Sequence, residues 1–493
     1  MTTKLSAATL AEVSKTAAVP RYRRADLTAG ILHFGVGNFH RAHQAVYLDE
    51  LFNLGESHDW ALVGAGVREA DEVMRQKLMG QDLLTTVVEQ EATHSTARVT
   101  GAMIDFIRPG DAAAIINRLA DSAIRIVSLT ITEGGYYIDP ATQAFNPKHP
   151  DIAWDAEHFH APRTVFGLIL AGLKRRRDIG IPPFTVMSCD NIPGNGHVTQ
   201  NAVVGLANLI YPELARWVRQ NVAFPNGMVD RITPATSDRE RTLLADNFGI
   251  EDAWPVFCEN FKQWVVEDHF PLGRPALEKV GVQFVSDVAP FELMKIRILN
   301  GGHASIAYPA ALMDIHFVHE AMEHPLVARF LDKVEHDEII PIVPPVPDTD
   351  LEDYYKLIER RFANPKIGDT ITRLCLDGSN RQPKFILPSA RDRLKAGGSV
   401  TGLALVSAFW CRYCYGETDS GKPIAPNDPE WDRLQVQARV ARNRPEAWLE
   451  MGDIFGELAH DPTYVAAFTA ALRSIWAIGT KATLEKYLAG EAL

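Results

Sequence analysis

Cysteine is scarce in this chain: five residues in 493, at positions 189, 258, 375, 411 and 414. An odd, scattered set excludes a disulfide framework and suits a reducing compartment. The Cys411–Cys414 pair sits in the apolar run AFWCRYCYG and has no second pair to complete a zinc site, so it reads as a structural helix face. Long hydrophobic runs are also missing. No stretch reaches the ~18 apolar residues of a membrane span, and the opening MTTKLSAATLAEVSK lacks the apolar core of a secretory signal. These absences predict a cytoplasmic protein with no membrane partner. A large basic block is absent too. Net charge is −12, and the densest basic run, Lys174–Arg177, suits the end of a helix, where cations meet the negative pole of the dipole. Nucleic acid is therefore not an expected partner. Internal repeats and low-complexity tracts are missing as well.

What is present belongs to a large globular protein: 46% hydrophobic and 23% charged residues, and enough chain for two or three domains. The apolar run Ala29–Phe34 breaks into Gly35-Val36-Gly37-Asn38-Phe39-His40-Arg41-Ala42. A strand that turns through GxG into a helix is the phosphate-binding turn of a dinucleotide fold. Its first glycine allows the tight turn, and its second lets the backbone approach a pyrophosphate. The third glycine is missing, with His40 in its place. A second buried strand, Trp60–Val67, is followed by Arg68, Glu69 and Asp71. An acid after this strand holds ribose hydroxyls and repels a 2′-phosphate, so Glu69 and Asp71 favour NAD over NADP, whereas Arg68 could meet a 2′-phosphate.

Thr85–Glu91 and Ala97–Ile107 read as an inserted pair of strands. Helix and strand then alternate: helix 111–119, strand 124–132, helix 163–177, strand 184–188 and a long helix from about 197 to 221. Buried strands alternating with helices predict a parallel, doubly wound sheet with ligands at the strands' carboxyl ends. Asn191 lies at such an end, and Asp230 with Arg231 falls in a short apolar stretch. Beyond about residue 285 strands become rare and helical patterns dominate, interrupted by the Pro-rich link 341–347 and by an expected loop over 377–384. The predicted domains are 1–289 and 290–493, α/β followed by mostly α-helical.

The second part opens on FELMKIRILNGGH, residues 291–303. At about 100° per residue, Lys295, Glu292, His303 and Asn300 fall within an arc of roughly 140° on one helix. Their apolar neighbours predict that this arc faces an internal cleft rather than bulk water.

GVGNFHRAH (35–43), CDNIPGNG (189–196), VDRITP (229–234), KIRILNGGH (295–303) and DGSNRQPKF (377–385) occur in this order. Together they resemble the polyol-specific long-chain dehydrogenases, the mannitol dehydrogenase family, over essentially the whole chain. The resemblance implies an N-terminal Rossmann-type domain, a mostly helical C-terminal domain and a cleft between them. It also implies NAD(P)-dependent, metal-independent interconversion of sugar alcohols and keto sugars, with mannitol and fructose the favoured pair. Carried over by position, Lys295 is the general base, and Asn191 and Asn300 bind the reacting oxygen. His303, Asp230 and Arg373 bind substrate hydroxyls, Glu292 is a proton exit, and Gly35, Val36, Gly37, Asn38, Phe39, Arg41, Glu69 and Asp71 serve the cofactor. Arg381 stands where the family pattern leads one to expect a lysine, with Lys384 nearby, so neither is assigned.

The chemistry agrees with the residues. Oxidising a secondary alcohol needs a base, donors for the developing alkoxide and a hydride acceptor. No tyrosine here is followed four residues later by lysine, and no Cys/His zinc set exists. Two rival readings are a uronate oxidoreductase of the same family, which would need more cationic groups than Arg373, and a binding protein that has lost catalysis. With no exposed heptad run, the expected state is a monomer.

Overall fold

In a computed structural model of the chain, residues 2–139 and 144–493 are described. The chain divides into two compact units, Met1–Ala289 and Pro290–Leu493.

The first unit is built on five parallel strands: β1 Ala29–Phe34, β2 Ala61–Ala65, β3 Met103–Phe106, β4 Ile126–Leu129 and β5 Thr185–Ser188. Their order across the sheet is β3-β2-β1-β4-β5, with every neighbour parallel. Side chains alternate along each strand, so each strand feeds two cores. Leu32, Phe34, Val127 and Leu129 join one apolar cluster with helices Ala112–Leu119, Val165–Asp178 and Asn195–Ile210. Ile31, Leu62, Ile126 and Met187 join the other with helices Gln44–Asn53 and Glu69–Met79. This is the doubly wound α/β arrangement expected of alternating strands and helices.

Several boundaries differ from the sequence reading. The run 97–107 is two strands. Ser95–Thr100 pairs antiparallel with Thr85–Gln90, whereas Met103–Phe106 leaves it to become an edge of the central sheet. The long helix over 197–221 is also two, Asn195–Ile210 and Pro212–Asn221. Proline cannot donate a backbone hydrogen bond and pushes the residue before it out of the helical region. Tyr211 is accordingly extended, at φ −141° and ψ 91°. Gly227–Asp230 belongs to a separate small sheet, antiparallel to Gln263–Glu267.

His40, in place of the third glycine, turns inward. Its ring stacks on His33 of β1 at 3.5 Å between centroids, and both rings are buried. His43 bonds the carbonyl of Gln263 at 2.9 Å and stacks on Phe39, so both histidines of the turn are used in packing.

The second unit is helical. The buried helix Thr401–Cys414 packs against Pro462–Leu488 and Gly301–Leu312, with Cys411 and Cys414 inside the core. The expected loop at 377–384 is instead helical, Gly378–Arg381 followed by Gln382–Ile386. Asp377 at φ 61° makes the sharp entry.

Burial, aided by the neighbouring His33, Arg41 and His43, holds the His40 imidazole neutral well below its ordinary range. Its contribution to stability is therefore present above about pH 6.5 and lost as pH falls, because only the unfolded chain takes up the proton. Between pH 7.5 and 5.5 the term amounts to about 1.4 kcal/mol. Urea titrations at the two pH values should show His40→Phe losing less stability on acidification than the wild type by about this amount. Equal losses would show that His40 already carries a proton in the folded protein.

Candidate functional site

β1 and β4 lie side by side, yet the chain continues from β1 toward one edge and from β4 toward the other. The crevice beyond their carboxyl ends is where doubly wound sheets take ligands. Four segments border it: the glycine turn after β1, Arg68 after β2, the stretch from Thr130 after β4, and Asp190-Asn191 after β5.

The two glycines of the turn do different work. Gly35 has φ +90°, and a Cβ built on it would lie 2.0 Å from the carbonyl oxygen of Thr130, so the fold itself demands glycine there. Gly37 has an ordinary φ, and a Cβ there would meet nothing closer than the Gly35 oxygen at 3.8 Å. Packing places no demand on Gly37, so its bare backbone is free to accept a close ligand, and this cradle fits a dinucleotide pyrophosphate.

Other assignments in this region change. Arg41 is 2% exposed, and its guanidinium donates to Asn38 Oδ1 at 2.8 Å and to the carbonyl of Trp254. It braces the turn and is not available to a phosphate. The Asn38 amide donates to the Pro234 carbonyl and Thr236 Oγ1, and Phe39 packs in the core beside His43. Both side chains remain partly exposed, and Val36 is buried. Asp71 has a structural role as well. Its Oδ2 accepts from the backbone N–H groups of Val67 at 3.0 Å and Arg68 at 2.9 Å, capping the entry to helix Glu69–Met79. Glu69, exposed in the first turn of that helix, is left as the acid at the end of β2. Arg68 reaches across the crevice and donates to the carbonyl of Ile131 at 3.3 Å.

Past β4 the backbone is strained. Thr132 has φ 64° and ψ 163°, a region used almost only by glycine, at a cost of about 1–3 kcal/mol. The Asp190 carboxylate holds it there. Oδ1 accepts from the Thr132 N–H at 2.9 Å, and Oδ2 accepts from the Ile131 N–H at 2.9 Å and the Tyr136 hydroxyl at 2.7 Å. Burial pushes the Asp190 carboxyl up, and these donors pull it back. Asn191, the next residue, is exposed at the strand's end. Asp230 is 6% exposed at the end of its own strand. The neighbouring Arg231 guanidinium is taken up by Glu89 at 2.6 Å and by the carbonyls of Ala42 and Glu259.

In the second unit, the helix carrying Lys295 is not α-helical throughout. Ala289–Met294 is α, Lys295–Asn300 is π, and α resumes at Gly301–Leu312. The Gly301 N–H reaches back five residues to the Ile296 carbonyl. A π turn advances about 82° per residue rather than 100°, so the angle from Lys295 to Asn300 closes from about 140° to about 50°. Counted this way, Glu292, Lys295, Asn300 and His303 share an arc of about 70°, half the width expected for a regular helix.

Along this stripe Lys295 is 7% exposed and Glu292 partly buried. Asn300 Oδ1 and His303 Nε2 are buried and have no hydrogen-bond partner among the described residues. Each orphan costs about 1–3 kcal/mol until something pairs with it. Burial, with Arg373, Arg361 and Arg381 nearby, holds His303 neutral, well below its ordinary range. The ring stacks on Phe362 at 3.9 Å. Phe362 and Arg361 come from helix Leu351–Phe362, and no motif marks them in a single sequence. Arg373 is exposed and paired to Asp369, while Arg381 donates to the Leu374 carbonyl at 2.7 Å and Lys384 is exposed.

Family models cover most of the chain: the mannitol dehydrogenase Rossmann domain matches residues 29–279 and the mannitol dehydrogenase C-terminal domain matches 287–476. The chain belongs to the mannitol dehydrogenase family. A mannitol 2-dehydrogenase of Cereibacter sphaeroides is 62% identical over 471 residues, covering 95% of this chain and 98% of that one. One of Aspergillus oryzae is 43% identical, covering 95% of each. Among solved structures, Pseudomonas fluorescens mannitol 2-dehydrogenase, in a ternary complex with NAD and D-mannitol, matches with TM-score 0.87 and 43% identity, covering 99% of this chain and 100% of that one. A substrate-free D-sorbitol dehydrogenase matches with TM-score 0.91 and 34% identity over 97% and 100%. Among the described residues, no group of three His, Cys, Asp or Glu side chains is placed to hold a metal ion, and no helix is long and apolar enough to cross a membrane.

The two glycines give a paired test of the crevice. Gly35→Ala should lose at least about 2 kcal/mol of stability through the clash and the positive φ. Gly37→Ala should keep its melting temperature and weaken dinucleotide binding roughly tenfold or more, the equivalent of about 1.4 kcal/mol. Fluorescence titration with NAD beside a thermal melt reads both, and unweakened binding in a folded Gly37→Ala protein would remove the pyrophosphate from this turn.

Proposed function

We propose that this chain is an NAD-dependent mannitol 2-dehydrogenase, interconverting D-mannitol and D-fructose, in which residues 1–289 hold the cofactor and 290–493 supply the base. The observation that carries this reading is the full-length match to an enzyme solved with NAD and D-mannitol. The gathered stripe on the π turn supports the residue roles. The five thiols, all buried and free, suit a reducing compartment such as the cytoplasm.

NAD, when bound, supplies the hydride acceptor. Lys295 takes the proton of the C2 hydroxyl, and the amides of Asn191 and Asn300 donate to the oxygen as negative charge develops on it. His303 Nε2, Asp230 and Arg373 orient neighbouring hydroxyls, and Glu292, three residues before Lys295, passes the proton to water. The uronate reading gains no support, since the named relatives act on polyols or carry polyol names.

A spectrophotometric scan of mannitol, sorbitol, arabinitol and uronates with NAD and NADP tests the assignment directly. Absence of NADH formation from mannitol would end it. A lysine is a base only when neutral, so oxidation should rise with pH through one ionisation and then level off, while reduction falls over the same range. Lys295→Ala should lose several orders of magnitude in turnover, keep NAD binding and recover part of its rate with small added amines. Near-normal turnover with an unchanged pH profile would dismiss Lys295 as the base. Asn300→Ala should cost on the order of 10²–10³ in kcat, the usual effect of removing one donor to a developing oxyanion.

Cofactor choice rests first on Glu69, because one carboxylate oxygen of Asp71 is committed to the backbone. Glu69→Gln should therefore raise kcat/KM with NADP relative to NAD, with Arg68 available to a 2′-phosphate. A wild type that already prefers NADP would overturn that role.

A further inference from the structure

We propose that Asp190 is a positioning residue for this reaction: it holds the segment after β4 in a shape that segment resists, and so sets one wall of the dinucleotide crevice beside Asn191. This rests on the functional reading above.

Three observations converge on it. First, the segment is strained, with Thr132 in a glycine-type region despite its branched side chain. Second, all the donors that pin it, the N–H groups of Ile131 and Thr132 and the hydroxyl of Tyr136, meet one carboxylate. Tyr136 is further tied to Ser188 Oγ at 2.6 Å, at the end of β5. Third, Asp190 is itself fixed from behind. The amide of the fully buried Asn195 donates to the Asp190 carbonyl at 3.1 Å and to that of Gly227 at 2.7 Å, and its Oδ1 accepts from the Gly227 N–H at 2.9 Å. The wall also touches the glycine turn, since the Thr130 hydroxyl donates to the Gly35 carbonyl at 2.6 Å. A slip of the strained segment would move both sides of the crevice and the foot of Asn191, together with Ile131 and Tyr136, which belong to the apolar core on one face of the sheet. Strain of this kind persists only where the surroundings over-determine it, and here one side chain does so.

Asp190→Asn replaces one acceptor oxygen with an NH₂ that confronts a backbone N–H, releasing the clamp without changing its size. With NAD and mannitol, kcat/KM should fall by about 10²-fold, the scale of a small misplacement of reacting groups, and the fall should lie in kcat and NAD affinity rather than in KM for mannitol. Thr132→Gly should rescue it: glycine takes the same φ and ψ without strain, so the Asp190→Asn loss should be at least tenfold smaller in that background. A residue that merely supports stability gives no such rescue of turnover. Equal losses in both backgrounds, or a folded Asp190→Asn enzyme within threefold of wild type, would overturn the proposal. If Asp190→Asn does not fold, Tyr136→Phe removes one donor only. It should lower kcat/KM severalfold, again less in the Thr132→Gly background, and unchanged kinetics would overturn the proposal equally. A wild type that makes no NADH from mannitol defeats the functional reading itself, so the two failures are told apart by the parent enzyme.

Discussion

Between Lys295 and Asn300 the helix bonds one residue further along than an α-helix does, and the layout of the second unit's polar groups depends on that step. A π turn is poorly stable in isolation and survives where its neighbours specify it. Here they do. Ile298 and Leu299 are buried, Arg297 is anchored to Asp392 and to the Ile342 carbonyl, and the π segments Glu335–Ile339 and Gln382–Ile386 lie against it. The return to α geometry passes through Gly301-Gly302, and the second glycine sits at a close approach. A Cβ on Gly302 would lie 3.1 Å from Glu335 Oε1 and 3.4 Å from Leu331. Glu335 is fully buried and neither carboxylate oxygen has a partner among the described residues, so burial holds it protonated well above the ordinary range. A neutral acid can press on a helix backbone in a dry core where a charged one could not. A regular α-helix through the same residues would place Asn300 about 140° around the axis from Lys295 and spread the four groups over about 140°.

The first unit is organised by a different constraint: polar groups near a ligand crevice must be either fully paired inside or left for the ligand. Asp71, Arg41, Asn195 and Asp190 are spent on backbone groups, and each fixes a turn at the end of a strand. Glu69 is exposed, and the bare face of Gly37 meets nothing close. The same division explains why the glycine turn tolerates a histidine where a third glycine is common. His40 does not face the ligand side at all; it stacks on His33 beneath the turn, where its bulk fills the core on one face of the sheet.

The alternation of buried strands with helices was legible in the sequence, as were the glycine turn and the segment bearing Lys295, because each rests on local periodicity or local backbone need. The break at Tyr211-Pro212 was legible in principle, since proline alone dictates it. That Asp71 caps the helix after β2 was not, because Asp71 and Glu69 differ only in where their carboxylates point once the helix forms. The width of the polar stripe was also out of reach: a π turn has no composition of its own, and a count at 100° per residue spreads the four groups twice as far. Phe362 and the clamp of Asp190 on Thr132 join residues some sixty positions apart, and one sequence carries no sign of such pairs.

The last step concerns charge. His303 is buried among three guanidinium-bearing residues and cannot hold a proton, so it presents one N–H and one lone pair rather than a cation. Arg373 brings a fork suited to a carboxylate, but Asp369 already fills it, and the pair is neutral as a unit. Arg381 is turned to a backbone carbonyl. His303 and Asn300 thus present an imidazole and an amide, groups that both give and accept hydrogen bonds. A hydroxyl does the same, whereas a carboxylate only accepts. Burial first, and then the three neighbouring guanidinium groups, keep the histidine uncharged.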